Sequence, residues 1–214
     1  VARGVPFEQA RELVTAIQAT WLAGATVVVL PLPMRLSSIE EFVAQTRQRI
    51  RHADAKLCLV DPELAAFVTP EPDDPPLVDI GEPAAGDPAA WQRPDDDPER
   101  LVILQFTSGS TSDPKGVMLP DRVVRANLDA IAEAAKLDVD DDVVVSWLPL
   151  YHDMGLVGIL TLTMSTGTAL VQGAPQDFTA RPARWMEWIS RYRATATAGP
   201  NFSYVLATRA LKRA

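Results

Sequence analysis

The sequence predicts an α/β fold, a largely parallel sheet flanked by helices, and three observations carry that expectation. Short apolar runs rich in β-branched residues, such as 26–30 (TVVVL) and 142–148 (DVVVSWL), read as buried strands. Longer segments with apolar residues at three-and-four spacing lie between them and read as helices. Strands alternating with helices imply parallel pairing covered on both faces. At 214 residues, with 47% hydrophobic and 22% charged residues, the chain has ample material for a packed core. It contains no internal repeat, and residues 1–214 are expected to form a single α/β unit.

Taken in order, residues 6–23 place Phe7, Ala10, Leu13, Val14, Ile17 and Trp21 on one helical stripe. Pro6 stands near the start of that helix and Gly24 past its end. Residues 26–30 are a buried strand closed by Pro31. Ser38-x-x-Glu41 is a capping box opening a helix to about Arg51, and 56–60 is another short strand. From 69 to 100 the text turns to Pro, Asp and Glu, with few apolar residues beyond Leu77, Val78 and Trp91. That stretch reads as a long, mostly irregular surface connection, its Asp95–Asp97 run a solvated turn. Residues 101–104 are the next buried strand. Asp121 caps a helix to about Lys136, with Val124, Leu128 and Ile131 inward. A strand at 142–148, an apolar helix at 155–165, a strand at 168–171, a helix at 181–192 and a strand at 194–198 follow. Asn201 caps a last helix. The chain begins at Val1 without Met and stops in apparent mid-helix, so both ends look cut.

Composition narrows the function. A net charge of −8 argues against nucleic acid as a partner, because no basic stripe exists to displace counterions. ATP needs only local positive potential and stays open. The single Cys58, in the apolar run KLCLV, reads as a core residue; with no disulfide available within the chain, a reducing, cytoplasmic setting is expected. The longest apolar stretch, 21–34, is broken by Pro31 and Pro33 and is too short to span a bilayer.

Two constellations carry chemistry. The first is LQFTSGSTSDPKG at 104–116. A buried strand opens into a hydroxyl-rich loop with Gly109, and Lys115 adds a cation at its end. Backbone N–H groups, hydroxyls and an ammonium in this order make a phosphate cradle in outline. A solvated turn with a surface lysine is the other reading of the same residues. A Walker P-loop does not fit, since Lys115 precedes Gly116 and Val117 follows. The second constellation, 146–156 (SWLPLYHDMGL), leaves a strand and enters a helix. Ligands in open α/β sheets bind at the carboxyl ends of strands, and both constellations sit at such ends, so the two can face one crevice. His152 is there either as a functional group or as a satisfied structural histidine; Asp153 either orients it or caps the helix. His52 closes a basic helix (RQRIRH) and reads as structural. Trp185 and Trp188 read as packing rather than as an acyl pocket.

FTSGSTSDPKG resembles the phosphate-binding motif of adenylate-forming enzymes, the superfamily of acyl-CoA synthetases, luciferases and peptide-synthetase adenylation domains. Ser112 stands where the usual pattern has Gly, a departure that resembles the fatty acyl-AMP ligase branch more than the acyl-CoA synthetases. LPLYHDMGL at 148–156 is similar to the corresponding fatty acyl-AMP ligase motif; acyl-CoA synthetases share LPL and the His but usually not DMGL. GPNFSY at 199–204 resembles the family segment that opens the helix beside the acyl tunnel. At 121 this chain has Asp where the family often has His.

The resemblance implies a fold that is the N-terminal part of the family's large domain, without the small C-terminal domain. It implies activation of a fatty acid with ATP and Mg²⁺ to give acyl-AMP and pyrophosphate. Thr107, Ser108, Gly109, Ser110, Thr111 and Lys115 would hold the β- and γ-phosphates, and His152 would orient the acyl carboxylate and α-phosphate, making Lys115 and His152 the catalytic pair. Met154, Gly155, Gly199 and Asn201 would line the acyl pocket. The Mg²⁺ carboxylate is expected outside this chain, and an acyl carrier protein or polyketide synthase is an expected acceptor. An acyl-CoA synthetase is the alternative within the class, and a non-catalytic binding or assembly module the alternative outside it. A truncated piece of a ligase would turn over poorly on its own.

Overall fold

A computed structural model describes residues 7–31, 39–82, 87–106 and 115–212. Two compact units follow from its internal contacts: residues 11–121, and residues 122–214 with 1–10.

In the first unit, helix α1 (Phe7–Leu22) ends on Gly24, whose φ of +72° lets the chain turn left-handed. Gly24 N–H donates to Trp21 O at 2.9 Å and Ala25 N–H to Thr20 O at 3.0 Å, which satisfies the last carbonyls of the helix. The run expected to be a strand at 26–30 pairs at one residue. Val27 N–H donates to Val102 O at 2.9 Å and Leu104 N–H to Val27 O at 3.0 Å, a single parallel bridge to strand β3 (Leu101–Phe106). Propensity for a strand is present, but Pro31 ends the run before a ladder extends. Trp21 Nε1 and Thr26 Oγ1 add bonds to Val102 O and Leu101 O, at 2.9 and 2.7 Å. Ile103, the centre of β3, is fully buried.

Helix α2 (Ile39–His52) carries Glu40 and Glu41 in its first turn and Arg49, Arg51 and His52 in its last, as the helix dipole favours. The expected cap Ser38 lies outside the described residues. Strand β1 (Cys58–Val60) pairs in parallel with β2 (Leu77–Asp79), connected through the one-turn helix α3 (Pro62–Ala65). The stretch expected to be an irregular connection therefore contains a strand, built on its own apolar pair Leu77 and Val78, and a short 3₁₀ turn at Pro88–Ala90. Its acidic residues are also used. Arg47 grips Asp74 through Nε and Nη2, both at 2.9 Å, and reaches Glu71 with Nη1 at 2.8 Å and Thr69 O with Nη2 at 2.8 Å. Asp97, by contrast, closes a local turn onto Glu99 N–H, as expected of a solvated run. Antiparallel to β3 runs β4 (Gly116–Pro120).

The second unit is a three-stranded parallel sheet, order β6-β5-β7, with β5 (Val143–Ser146) between β6 (Ala169–Gln172) and β7 (Ala196–Thr197). Helices α4 (Asp121–Ala135), α7 (Pro175–Ala180), α8 (Ala183–Arg191) and α9 (Asn201–Leu211) accompany it. Between β5 and β6 a helix runs from α5 (Asp153–Gly155) through a π-helical stretch (Leu156–Thr161) into α6 (Leu162–Thr166). Helix α7 was not expected, since one turn starting at Pro175 has too few residues to show a period. Asp121 and Asn201 are first helical residues rather than caps, and Pro200 holds the cap position of α9. The core gathers Val144, Val145, Trp147, Ile159, Phe178 and Trp185. Trp185 is fully buried, so its expected packing role holds. At the sheet's entry, Thr195 Oγ1 donates to Asp142 Oδ1 at 2.6 Å and, with Asp138 N–H, holds that carboxyl below its ordinary value.

Arg47 likewise lowers the Asp74 carboxyl below its ordinary 3.8, chiefly through their hydrogen bonds. A depressed carboxyl contributes stability that is complete above the unfolded value and is lost as pH falls through the folded one. Arg47→Ala is expected to cost roughly 1.5–3 kcal/mol at neutral pH, the scale of hydrogen bonds between charged groups. The variant should also lose less further stability than the wild type between neutral pH and pH 3, as read by urea unfolding at both values.

Candidate functional site

The site begins where β5 ends. Ser146 is fully buried, and its Oγ accepts from Leu148 N–H at 3.1 Å, bending the chain out of the sheet. Pro149 follows, and its carbonyl accepts from His152 N–H at 3.2 Å. Leu156 N–H then donates to His152 O at 2.9 Å, so His152 is the N-cap of the helix. The turn closes because position 155 is glycine: a Cβ there would stand 2.2 Å from Pro149 O. No side chain fits in that gap.

His152 is thereby presented to solvent, its side chain 61% exposed. Its Nδ1 lies 2.5 Å from Asp153 Oδ1, and Met154 N–H donates to the same oxygen at 2.7 Å. Asp153 thus does both things weighed for it, orienting the imidazole and capping the helix backbone. With Nδ1 turned to the carboxylate, Nε2 is the ring nitrogen that remains on the outer edge. Tyr151 keeps its phenol protonated, its titration pushed upward by burial.

The other residues expected in the site divide as follows. Gly155 is buried and serves the turn, while Met154 is 39% exposed beside it. Gly199 packs tightly, since a Cβ there would meet Ser203 Oγ at 2.7 Å and Trp185 at 3.2 Å. Asn201 is exposed in the first turn of α9. Thr107, Ser108, Gly109, Ser110 and Thr111 lie outside the described residues. What brackets them is described: Phe106 pairs with Gly116 across β3 and β4, so the loop leaves and returns on adjacent strands, with Lys115 one residue before the return strand. His52 packs edge-on to the Phe106 ring at 6.0 Å, a structural contact as expected.

A cavity of about 70 Å³ lies elsewhere in the first unit, lined by Phe42, Val43, Ile50 and Val68 of α2 and its neighbours, with Cys58 and the Arg47–Asp74 pair. Burial pushes the Cys58 thiol up, which keeps it protonated and unreactive. Among the described residues no group of three or more His, Cys, Asp or Glu converges as a metal site. No helix among them is long and apolar enough to cross a membrane. The donor set of 107–115, hydroxyls, glycine and lysine, has the chemistry that suits phosphate oxygens rather than a bare cation.

The family model described as AMP-binding enzyme matches residues 4–212. Rv1013 of Mycobacterium tuberculosis, named as a ligase, is 36% identical over 203 residues, which is 94% of this chain and 37% of that protein. The medium-chain-fatty-acid–[acyl-carrier-protein] ligase JamA of Moorena producens is 43% identical over 114 residues, 53% of this chain and 19% of that protein. Among solved structures, one from a study of fatty acyl-adenylate ligases from E. coli and L. pneumophila superposes with a TM-score of 0.82. It is 34% identical and covers 92% of this chain and 36% of that one. The chain thus spans little more than a third of the length of Rv1013 and of that solved chain, and the JamA match less.

Two glycine substitutions test the turn. Gly155→Ala drives a methyl into the Pro149 carbonyl and is expected to destabilise by about 1–3 kcal/mol, the scale of overpacking. It should also shift the His152 ring signals in NMR. Gly158, with nothing within 4 Å of its Cβ position, is the control: Gly158→Ala should gain about 0.5–1 kcal/mol and leave His152 in place.

Proposed function

The chain belongs to the AMP-binding enzyme family, and from that premise we propose that it is the N-terminal part of a fatty acyl-AMP ligase. The observation that carries the reading is the turn at the end of β5. It is locked by Gly155 on Pro149 O and presents His152 with its imidazole oriented by Asp153. A residue held at a strand's carboxyl end, with one ring nitrogen committed and the other outward, suits the positioning of an oxyanion. The names of the solved neighbour and of JamA support a fatty acid as the substrate class.

In the proposed reaction a carboxylate oxygen of the fatty acid attacks the α-phosphorus of ATP. The new O–P bond gives acyl-AMP, the bond to the bridging oxygen breaks, and pyrophosphate leaves with its electron pair. No protein nucleophile is required, so the residues act by placement and charge. Thr107, Ser108, Gly109, Ser110 and Thr111 donate to the β- and γ-phosphates, and Lys115 offsets their charge. His152 holds the carboxylate against the α-phosphate. Met154, beside it, and the α9 turn at Gly199 and Asn201 border the acyl chain. Mg²⁺ would accompany ATP and offset the charge of its phosphates. The name of JamA, an acyl-carrier-protein ligase, supports an acyl carrier protein as acceptor, free or as part of a polyketide synthase. The single Cys58 supports a reducing, cytoplasmic setting.

Pyrophosphate exchange in the full-length protein, with ATP, Mg²⁺ and fatty acids but no CoA, tests the reading; failure of a folded protein to form acyl-AMP overturns it. Lys115→Ala is expected to weaken ATP binding by roughly 1.5–3 kcal/mol, the worth of a charged hydrogen bond, as read by calorimetry. His152→Ala should leave ATP affinity near normal and lower kcat for adenylation by about tenfold or more, the cost of a misplaced reactant.

A further inference from the structure

Four buried side-chain atoms among the described residues have no hydrogen-bond partner: Thr46 Oγ1, Gln105 Nε2, Trp147 Nε1 and Gln172 Oε1. Three of the four residues stand at the carboxyl end of a strand. Gln105 is next to last in β3, Gln172 is last in β6, and Trp147 directly follows β5. Folded proteins pair nearly all their buried polar groups, so a run of exceptions at the strand ends where ligands bind asks for partners from outside the chain.

Trp147 is the clearest case. It is 4% exposed, its ring stacked on Phe178 at 3.8 Å and edge-on to Trp185 at 6.1 Å. Trp185, in the same cluster, shows how a structural indole is satisfied: its Nε1 donates to Thr197 Oγ1 at 3.0 Å, and that hydroxyl donates to Val145 O at 2.7 Å. The Trp147 indole can only donate, and nothing among the described residues accepts from it. Its third ring neighbour, Phe202 at 6.4 Å, is 55% exposed, whereas Phe178 and Trp185 are fully buried. The side of the cluster open to solvent is therefore the Phe202 side, in the first turn of α9.

We propose that the Trp147 N–H is a specificity-determining donor for a neutral oxygen, a hydroxyl or keto group, carried on the hydrocarbon part of the acyl substrate. The inference rests on the carboxylate-activation reading above. An indole packed against three aromatic rings suits hydrocarbon and disfavours a phosphate or carboxylate, whose charge would stand uncompensated in such surroundings. A neutral oxygen completes the donor without that cost. An acyl chain lacking the oxygen leaves a buried N–H unpaired, and sites of this kind reject such analogues far more strongly than apolar pockets reject a missing methylene.

The test uses the full-length protein, an unsubstituted fatty acid, and hydroxy acids of the same length with the hydroxyl at successive positions. Trp147→Phe keeps a stacking ring and removes only the donor. In the wild type at least one hydroxylated isomer should exceed the unsubstituted acid by about tenfold or more in kcat/KM for pyrophosphate exchange. In Trp147→Phe that preference should vanish, with a melting temperature unchanged or raised, since an unpaired buried donor has been deleted. The indole ¹⁵N–¹H signal missing from the variant should move in the wild type on addition of the favoured acid. A wild type that prefers the unsubstituted acid to every isomer, or a preference that survives Trp147→Phe, overturns the proposal. A folded wild type that activates none of these acids instead overturns the adenylation reading, and the inference with it.

Discussion

The contact between Gly155 and the Pro149 carbonyl is the constraint on which the second unit's arrangement depends. β5 is central in its sheet, so the chain leaving it has to turn sharply before a helix can run back between β5 and β6. The turn is made by Ser146 accepting from Leu148, by Pro149 accepting from His152, and by a helix start pressed so close that only glycine fits. Everything downstream inherits that position: the buried face Leu156, Ile159 and Leu160, and the outward placement of His152 at the helix's first corner. The turn and the placement of His152 are not separable here, since the atom that fixes the turn also receives the His152 amide.

Charge is divided along similar lines. The chain carries eight net negative charges, an unpromising balance for a protein expected to receive ATP and a carboxylate. The described geometry shows part of the reason. Arg47 and Arg51 are committed to Asp74 and Glu71, and Arg184 to Asp177, so these cations neutralise the protein's own carboxylates. Long-range attraction therefore contributes little, and in the proposed reaction the capture of anions would fall to short-range donors at strand ends, where screening by water is weakest.

Much of this was legible in the sequence. The period of residues 6–23 with Gly24 behind it gives α1 and its left-handed stop, because stripe and punctuation are both local. DVVVSWL gives β5 for the same reason. Where the outcome depends on a distant partner, local reading fails. The 26–30 run reaches only one residue of β3, and Leu77-Val78 becomes a strand because β1 stands beside it. β4 is a strand because β3 pairs with it, not because GVMLP announces one. In the site, His152 and Asp153 were visible from their motif. The glycine beside them was assigned to the acyl pocket, although its reason for being glycine is the Pro149 carbonyl. Nothing in the letters W or Q tells a satisfied indole or amide from an orphaned one, so Trp147 and Gln172 were silent.

The π-helical stretch follows from the same fixed points. The helix is pinned at Gly155 on one side, and its other end is closed by Gly167, whose φ of +82° takes the chain out left-handed toward β6. Seven of the eleven residues between these points are buried, Leu156, Val157, Ile159, Leu160, Thr161, Leu162 and Thr163, so the helix cannot slide to relieve a mismatch. Widening from four-residue to five-residue hydrogen bonding absorbs the mismatch instead. The threonines make that widening tolerable: Thr161 Oγ1 donates to Leu156 O at 2.8 Å, and Thr163 Oγ1 to Ile159 O and Leu160 O at 3.0 Å, covering carbonyls in the distorted stretch. Hydroxyl residues inside an otherwise apolar helix are thus accounted for by backbone repair. The π stretch is the geometric consequence of holding one end of the helix against β5 while delivering the other to β6.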